Sequence, residues 1–434
     1  MDQPNVSLPC PTRWRFDVLV VGGGSAGCAA AIAAARTGAK VGLVERYGFL
    51  GGTGTAVLDT FYGFYTPGQK ARKVVGGIPD DVVTALRRRG AALERPNTYG
   101  AGTGVTYDPE ILKVVWETLA LEAGVQALYH LFFVAPVLEG TACRGAILAG
   151  KGGLVRATAR VVVDATGDAD VAATCGAPGE VAGRDGPQQP LTTTFRLANV
   201  DTEHALQVKK DQLWALMRQA NAGGTFQLPR EEGSVHVTPY PGIMATNMSR
   251  VTGYDPLDPE QLTAAEREGR RQALEYARFL REMVPGYERA VLCAFSVGVG
   301  IRETRRIVGD YRLTGADVMG ARQFDDQIAL CGAPIEDHGS GTGTTWAYIP
   351  DSGAYGIPYR CLLPQGVEGL LVAGRCLSAT HEAHASVRSM AQCMAMGQAA
   401  GTAAGLAVRT GAEPRGVAAD AVRERLADAG AVLE

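Results

Sequence analysis

Residues 17–46 read "DVLVVGGGSAGCAAAIAAARTGAKVGLVER". Val18 to Val21 is a continuous run of β-branched residues and leucine, the pattern of a strand buried on both faces of a parallel sheet. Gly22, Gly24 and Gly27 follow with G-x-G-x-x-G spacing. The first permits a tight turn, the second lets backbone approach a pyrophosphate, and the third lets helix pack on strand. Ser25 to Arg36 is predicted as a helix whose free N–H groups face the phosphates, closed by Gly38 in the left-handed conformation. Val41 to Val44 is the second strand, and Glu45 stands at its tip, where a carboxylate accepts hydrogen bonds from ribose hydroxyls. Strand, turn, helix, strand and acid in register predict a dinucleotide site.

The length of 434 residues favours more than one domain. Charged residues make up 20% and the net charge is -3, which leaves no electrostatic basis for binding nucleic acid or an anionic membrane. The start, "MDQPNVSLPCPTRWR", has no apolar core of a secretory signal, and no run of about 18 apolar residues exists to span a membrane. The nine cysteines are scattered without a C-x-x-C pair, so a dithiol centre and a zinc knuckle are not expected. Free thiols in such a chain suggest the cytoplasm.

Beyond Arg46, Gly51 and Gly52 form another close-approach loop. Asp108 and Pro109 open a helix as N-cap and first-turn residue. Strands are predicted over residues 128–134, 137–138 and 145–148, and a second buried strand in "ARVVVDATGDADVA". Residues from about 190 to 330 mix short strands with the polar helix "TAAEREGRRQALEYARFLREMV", as an inserted substrate domain would. In the last helix Gly397, Gly401 and Gly405 are spaced by four on one face, suited to close packing on the alanine-rich first helix.

A bound NAD needs only the first fingerprint, whereas an extended FAD also uses a glycine pair after the second strand, a "DATGD" segment and a glycine-rich closing segment. Four blocks, "GGGSAGCAAAIAAARTGAKVGLVERYGFLGGTGT", "VVVDATGDADVA", "GIRETRRIVGDYRLTG" and "IPYRCLLPQGVEGLLVAGRCLSATHEAHASVRSMAQCMAMGQAAGTAAG", together resemble the soluble FAD-dependent oxidoreductases related to succinate dehydrogenase and fumarate reductase flavoproteins. The resemblance spans residues 16–410 and is thinnest over 200–290. It implies an α/β fold: a three-layer, Rossmann-like FAD-binding domain with an inserted α+β substrate or cap domain. The FAD-binding domain is expected over residues 14–60, 100–190 and 355–412, the inserted region over 61–99 and 191–354, and a C-terminal helix over 413–434.

The same resemblance implies the residues that touch FAD. Gly22, Gly24, Ser25, Ala26 and Gly27 would surround the pyrophosphate, and Glu45 with Arg46 the ribose. Gly51, Gly52 and Thr53 would lie along the path to the flavin, and Val134 would face adenine by its main chain. Ala165, Thr166 and Gly167 would meet the cofactor from a returning strand, and Gly374, Arg375, Gly397 and Gln398 from the closing segment. The respiratory relatives carry a histidine near the glycine loop for covalent flavin attachment. "FLGGTGTAV" has none, so non-covalent FAD is expected. Their closing His-Gly-Ala-Asn-Arg segment keeps its histidine here as His381, but Ala385 stands in place of the arginine, with Arg388 three residues on.

Flavin chemistry needs from the protein an acid or base and a cation for a carboxylate or oxyanion. The catalytic candidates are His381, suited by its neutral-range pKa, Arg302 in "GIRETRR", and His338 in the loop "PIEDHGSGTG". On a helix, Arg302 and Arg306 would be neighbours, and His381 and His384 would share a face. Ion pairing for the arginines and capping or packing for the histidines are the alternatives. No third ligand accompanies the histidine pair, so no metal is expected. The predicted function is FAD-dependent hydride transfer to or from a small polar organic molecule, with an unspecified external electron partner. The alternative is a flavin-binding electron-delivery protein without small-molecule turnover.

Overall fold

A computed structural model of the protein describes residues 8–339, 341 and 343–434. At its centre is a five-stranded parallel sheet in the order Leu370–Val372, Val161–Asp164, Val18–Val21, Val41–Val44, Gln126–Leu128. Val21 pairs with Val44 on one side and Asp164 on the other, and Asp164 with Val372. The carboxyl ends of four strands are therefore level, and Gly22, Glu45, Ala165 and Ala373 leave the sheet along one edge. Open α/β sheets bind ligands at this edge.

Alternation along the strands builds three layers. Val18, Val20, Val161 and Val163 join the helix-side core, while Leu19, Val21, Val162 and Val372 face a second, four-stranded sheet. That sheet orders Thr12–Arg15, Gly153–Thr158, Ala142–Gly150 and Phe132–Glu139. The strand expected over residues 128–134 is broken. Leu128 closes the parallel sheet, His130 takes a positive φ of 57°, and a new strand starts at Phe132. It runs past Pro136, which an edge strand tolerates because its missing N–H need not meet a neighbour.

The helix layer is Ser25–Arg36 against Met390–Thr410. A Cβ on Gly397 would lie 2.0 Å from the Ala26 carbonyl oxygen, and one on Gly401 2.0 Å from that of Ala30. The glycine face thus brings the two backbones together as its spacing predicts. Near the other end of the chain's core, Asp108 caps Pro109–Glu122 by accepting from the Glu110 N–H.

The cap has its own antiparallel sheet, in the order Ser234–Val237, Met244–Asn247, Phe195–Ala198, Val291–Phe295, covered by Lys210–Ala222 and Pro259–Met283. Its core, including Phe195, Met217, Tyr276 and Phe279, is separate from the central one. This cap is narrower than the inserted region expected from sequence. Val82 and Leu86 of Ile78–Arg88, and Ile328 and Leu330 of Gln327–Cys331, belong to the central core, as do Val422 and Leu426 of the terminal helix Ala419–Asp428. Among the described residues no helix is long and apolar enough to cross a membrane.

Candidate active site

A cavity of about 670 Å³ separates the carboxyl edge of the parallel sheet from the cap, within the usual size of cofactor and ligand sites. Its nucleotide side is built by the first helix and the turns around it. Gly22 has φ of +100°, and a Cβ there would lie 2.4 Å from the Ala165 carbonyl oxygen, so only glycine fits between the two strands. Gly52 has φ of +53°, and its Cβ would stand 2.7 Å from the Gly24 Cα. These two loops meet backbone to backbone. The helix Ser25–Arg36 begins at Gly24 with no side-chain cap and no acid in its first turn, leaving its N–H groups and partial positive charge at the cavity. An uncapped helix start of this kind can receive a phosphate group.

Glu45 is buried beside it. Its Oε2 accepts from the Gly23 N–H and its Oε1 from the Tyr47 N–H, each at 2.8 Å. Burial raises its pKa despite these hydrogen bonds. Each oxygen keeps a lone pair with which it can accept from a ribose hydroxyl. Gly22, Gly24, Ser25, Ala26, Glu45, Arg46, Gly52 and Thr53 all line the cavity. Ala165, Thr166, Gly167, Gly374 and Arg375 do so from the ends of the neighbouring strands Val161–Asp164 and Leu370–Val372. Arg375 is paired to Asp168 at 2.7 Å, and this pairing draws its guanidinium along the wall.

Five expected cofactor contacts stand back from the cavity. Gly27 is packed under the turn, where a Cβ would meet the Gly22 carbonyl oxygen at 1.8 Å. Gly51 lies one residue behind the lining and donates its N–H to Gly23. Gly397 serves the helix crossing, and Gln398 accepts the Ile78 N–H at 2.9 Å, which anchors another helix. Leu131 to Phe133 form the wall near the adenosine end, so Val134 falls one residue outside it with its side chain exposed.

On the cap side, Arg302 and His338 line the cavity, together with Arg388, Arg230 and Glu336. Arg302 does not sit on a helix with Arg306. The chain is extended there: Thr192 and Gly300 exchange backbone hydrogen bonds, and Arg305–Ile307 pairs with Gly179–Val181. Arg302 donates to the Pro190 carbonyl at 2.8 Å, while Arg306 turns to Glu180 and Glu303. Burial, and then the guanidinium groups of Arg388 and Arg230, bring the Arg302 pKa down to about 9. The Nε atoms of Arg230 and Arg388 are buried without a hydrogen-bond partner. Burial alone would raise Glu336, but His338, Arg388 and Arg302 outweigh it and hold its carboxyl at about 2. His338 Nε2 is 3.3 Å from Glu336, and burial and Arg302 push its pKa down to about 3, so its ring is neutral.

His381 is placed differently from expectation. It opens the short helix His381–Val387, capped by Thr380, and its Nδ1 lies 2.9 Å from Glu303 Oε2, behind the cavity wall. His384 shares that face, as the spacing predicts, and its Nε2 is 2.8 Å from the Arg375 carbonyl oxygen. Arg388, four residues further on, does reach the cavity.

Sequence inspection missed a second group in the wall. His236, on a cap strand, has Nε2 at 2.7 Å from Asp59 Oδ1, and both residues line the cavity. They are 177 positions apart. The only local signal was the alternation of "SVHV", which marks a strand and says nothing of a partner.

The family described as FAD dependent oxidoreductase matches residues 17–426. No curated protein sequence gives a significant match. Among solved structures, p-nitrophenol 4-monooxygenase from Pseudomonas putida DLL-E4 is similar at 12% identity, over 96% of this chain and 84% of that one, with a TM-score of 0.50. A geranylgeranyl bacteriochlorophyll reductase-like protein from Thermoplasma acidophilum is similar at 15% identity, over 96% and 82%, with a TM-score of 0.48. At 12% identity the likeness to the monooxygenase concerns the fold alone.

Proposed function

The chain belongs to the FAD-dependent oxidoreductase family, a family of enzymes with FAD as cofactor, and on that premise we propose that it transfers a hydride between a small polar organic molecule and non-covalently bound FAD. The observation that supports this reading is the one cavity that joins the uncapped helix end at Gly24 to the half-buried cations Arg302 and Arg388. Bound FAD supplies the site for two-electron exchange with a substrate carbon.

The chain supplies the rest. Gly22 to Ala26, Glu45 and Gly52 would hold the adenosine and pyrophosphate, and Ala165 to Gly167 with Gly374 the return towards the flavin. Arg302 and Arg388 would bind an anionic group of the substrate and fix its orientation. Charge-assisted hydrogen bonds of this kind are roughly twice as strong as neutral ones. Neutral His338, paired to Glu336, would set the polarity beside them.

The test begins with purified protein, which should be yellow and release all its FAD on acid denaturation. Anaerobic titration with hydroxy acids, other organic acids and amines should then bleach the flavin with at least one compound. A colourless protein that takes up no added FAD overturns the cofactor site. Redox change only in the presence of a partner protein favours the electron-delivery alternative.

A further inference from the structure

We propose that His236, held by Asp59, is the group that takes the substrate's proton during oxidation; the proposal rests on the hydride-transfer reading above. The two residues come from different units. Asp59 immediately precedes the short strand Thr60–Phe61 of the central domain, where its carbonyl oxygen accepts the Tyr107 N–H at 2.8 Å. His236 is in the cap strand Ser234–Val237, paired to Ala245 of the next strand. Each backbone is fixed by its own sheet, so the 2.7 Å contact between Nε2 and Oδ1 is set by the docking of cap on domain.

Both side chains are more than nine-tenths buried, yet both form part of the cavity wall. The surroundings define which nitrogen carries the proton. Nε2 faces the Asp59 carboxylate and, at 3.4 Å, the Thr60 hydroxyl. Arg196 Nε lies 4.0 Å from the other Asp59 oxygen, and the hydrogen bond from the His236 ring, with the guanidinium groups of Arg196 and Arg95, keeps the carboxyl ionised against its burial. An ionised acceptor places the ring proton on Nε2. Nδ1 is then the basic nitrogen, and it is buried with no protein partner. A buried acceptor without a partner is destabilising, and a donor on a ligand removes that penalty.

For a substrate of the type H–C–X–H, where X is oxygen or nitrogen, the X–H proton passes to Nδ1. The freed electron pair forms the C=X bond, and the C–H hydrogen leaves with its electron pair for FAD. Two electrons and two hydrogens are lost, one hydrogen as the proton on His236. Asp59 offsets the charge that develops on the ring and is a positioning residue.

Two measurements test this. In holoprotein labelled with 15N-histidine, His236 should show a protonated Nε2 and an unprotonated Nδ1 at pH 8, and Asp59→Asn should shift it towards the other tautomer. With a compound that bleaches the flavin, His236→Asn and His236→Gln should keep FAD content and visible spectrum, hold KM within a few-fold, and slow reduction by about 100-fold or more. A proton on Nδ1 or on both nitrogens overturns the proposal, as does reduction at the wild-type rate or loss of FAD from both variants. If no compound bleaches the flavin, the hydride-transfer reading fails, and the proposal fails with it whatever the tautomer.

Discussion

His381 turns its Nδ1 to the carboxylate of Glu303, 2.9 Å from Oε2, and Glu303 in turn accepts from Arg306. Glu303 is fully buried, so it depends on these partners for its charge. The histidine therefore holds the segment carrying Arg302 against the helix that carries Arg388. His381→Asn should retain FAD and change flavin reduction by less than tenfold, while lowering stability by about 1–3 kcal/mol. Stopped-flow reduction and denaturant unfolding of the same preparation check both. A loss of 100-fold in rate with unchanged stability would return His381 to the chemistry.

Arg302 is half-buried beside Arg388 and Arg230, and desolvation together with these two guanidinium groups brings its pKa down to about 9. On the proposed function, such a group trades stability for binding. Arg302→Met should therefore raise the unfolding free energy by about 0.5–2 kcal/mol. It should also weaken binding of an anionic substrate or inhibitor by about 1.5–3 kcal/mol, the worth of a charged hydrogen bond. Thermal unfolding and calorimetric titration should move in opposite directions. Equal loss in both would mean that Arg302 is structural.

Gly401 faces the Ala30 carbonyl oxygen with no space for a Cβ. Gly401→Val should force the closing helix away from the first helix, and with it the Gly24 turn. Overpacking of this kind costs about 1–3 kcal/mol, and FAD content should fall because that turn opens. Gly405→Ala, where the obstacle is the Thr37 side chain rather than backbone, should be milder. Equal FAD content in both variants and the wild type would sink this account.

His338 titrates near ~6.5 in an unfolded chain but at about 3 in the fold, through burial and then Arg302. As pH falls below ~6.5 the unfolded chain binds a proton that the folded one refuses, so stability present above that value is lost progressively down to about 3. Glu336, held down at about 2, acts in the same direction below ~4.3. Denaturation midpoints should fall between pH 7 and pH 5, and His338→Gln should reduce the slope by up to about 1.4 kcal/mol per pH unit. An unchanged slope would locate the acid sensitivity elsewhere.

The dinucleotide turn was legible in sequence because every part of it is local. A buried strand, three glycines, a helix and a second strand lie within residues 17–46, and each is a statement about backbone conformation or burial that composition and spacing report directly. The glycine face of Met390–Thr410 was legible for the same reason: a four-residue repeat on a helix defines a surface wherever its partner comes from. The direction of a polar side chain is a different matter. His381 and His384 do share a helix face as their spacing requires, but that face meets Glu303 and the Arg375 carbonyl, because helix periodicity says nothing about which neighbour the face will find. The cationic wall joins residues 230, 302 and 388, and the Asp59–His236 contact spans 177 positions. Both exist only because the cap sheet docks over the carboxyl edge of the parallel sheet, and that docking is settled by the burial of two separate cores rather than by any stretch of sequence that contains the residues.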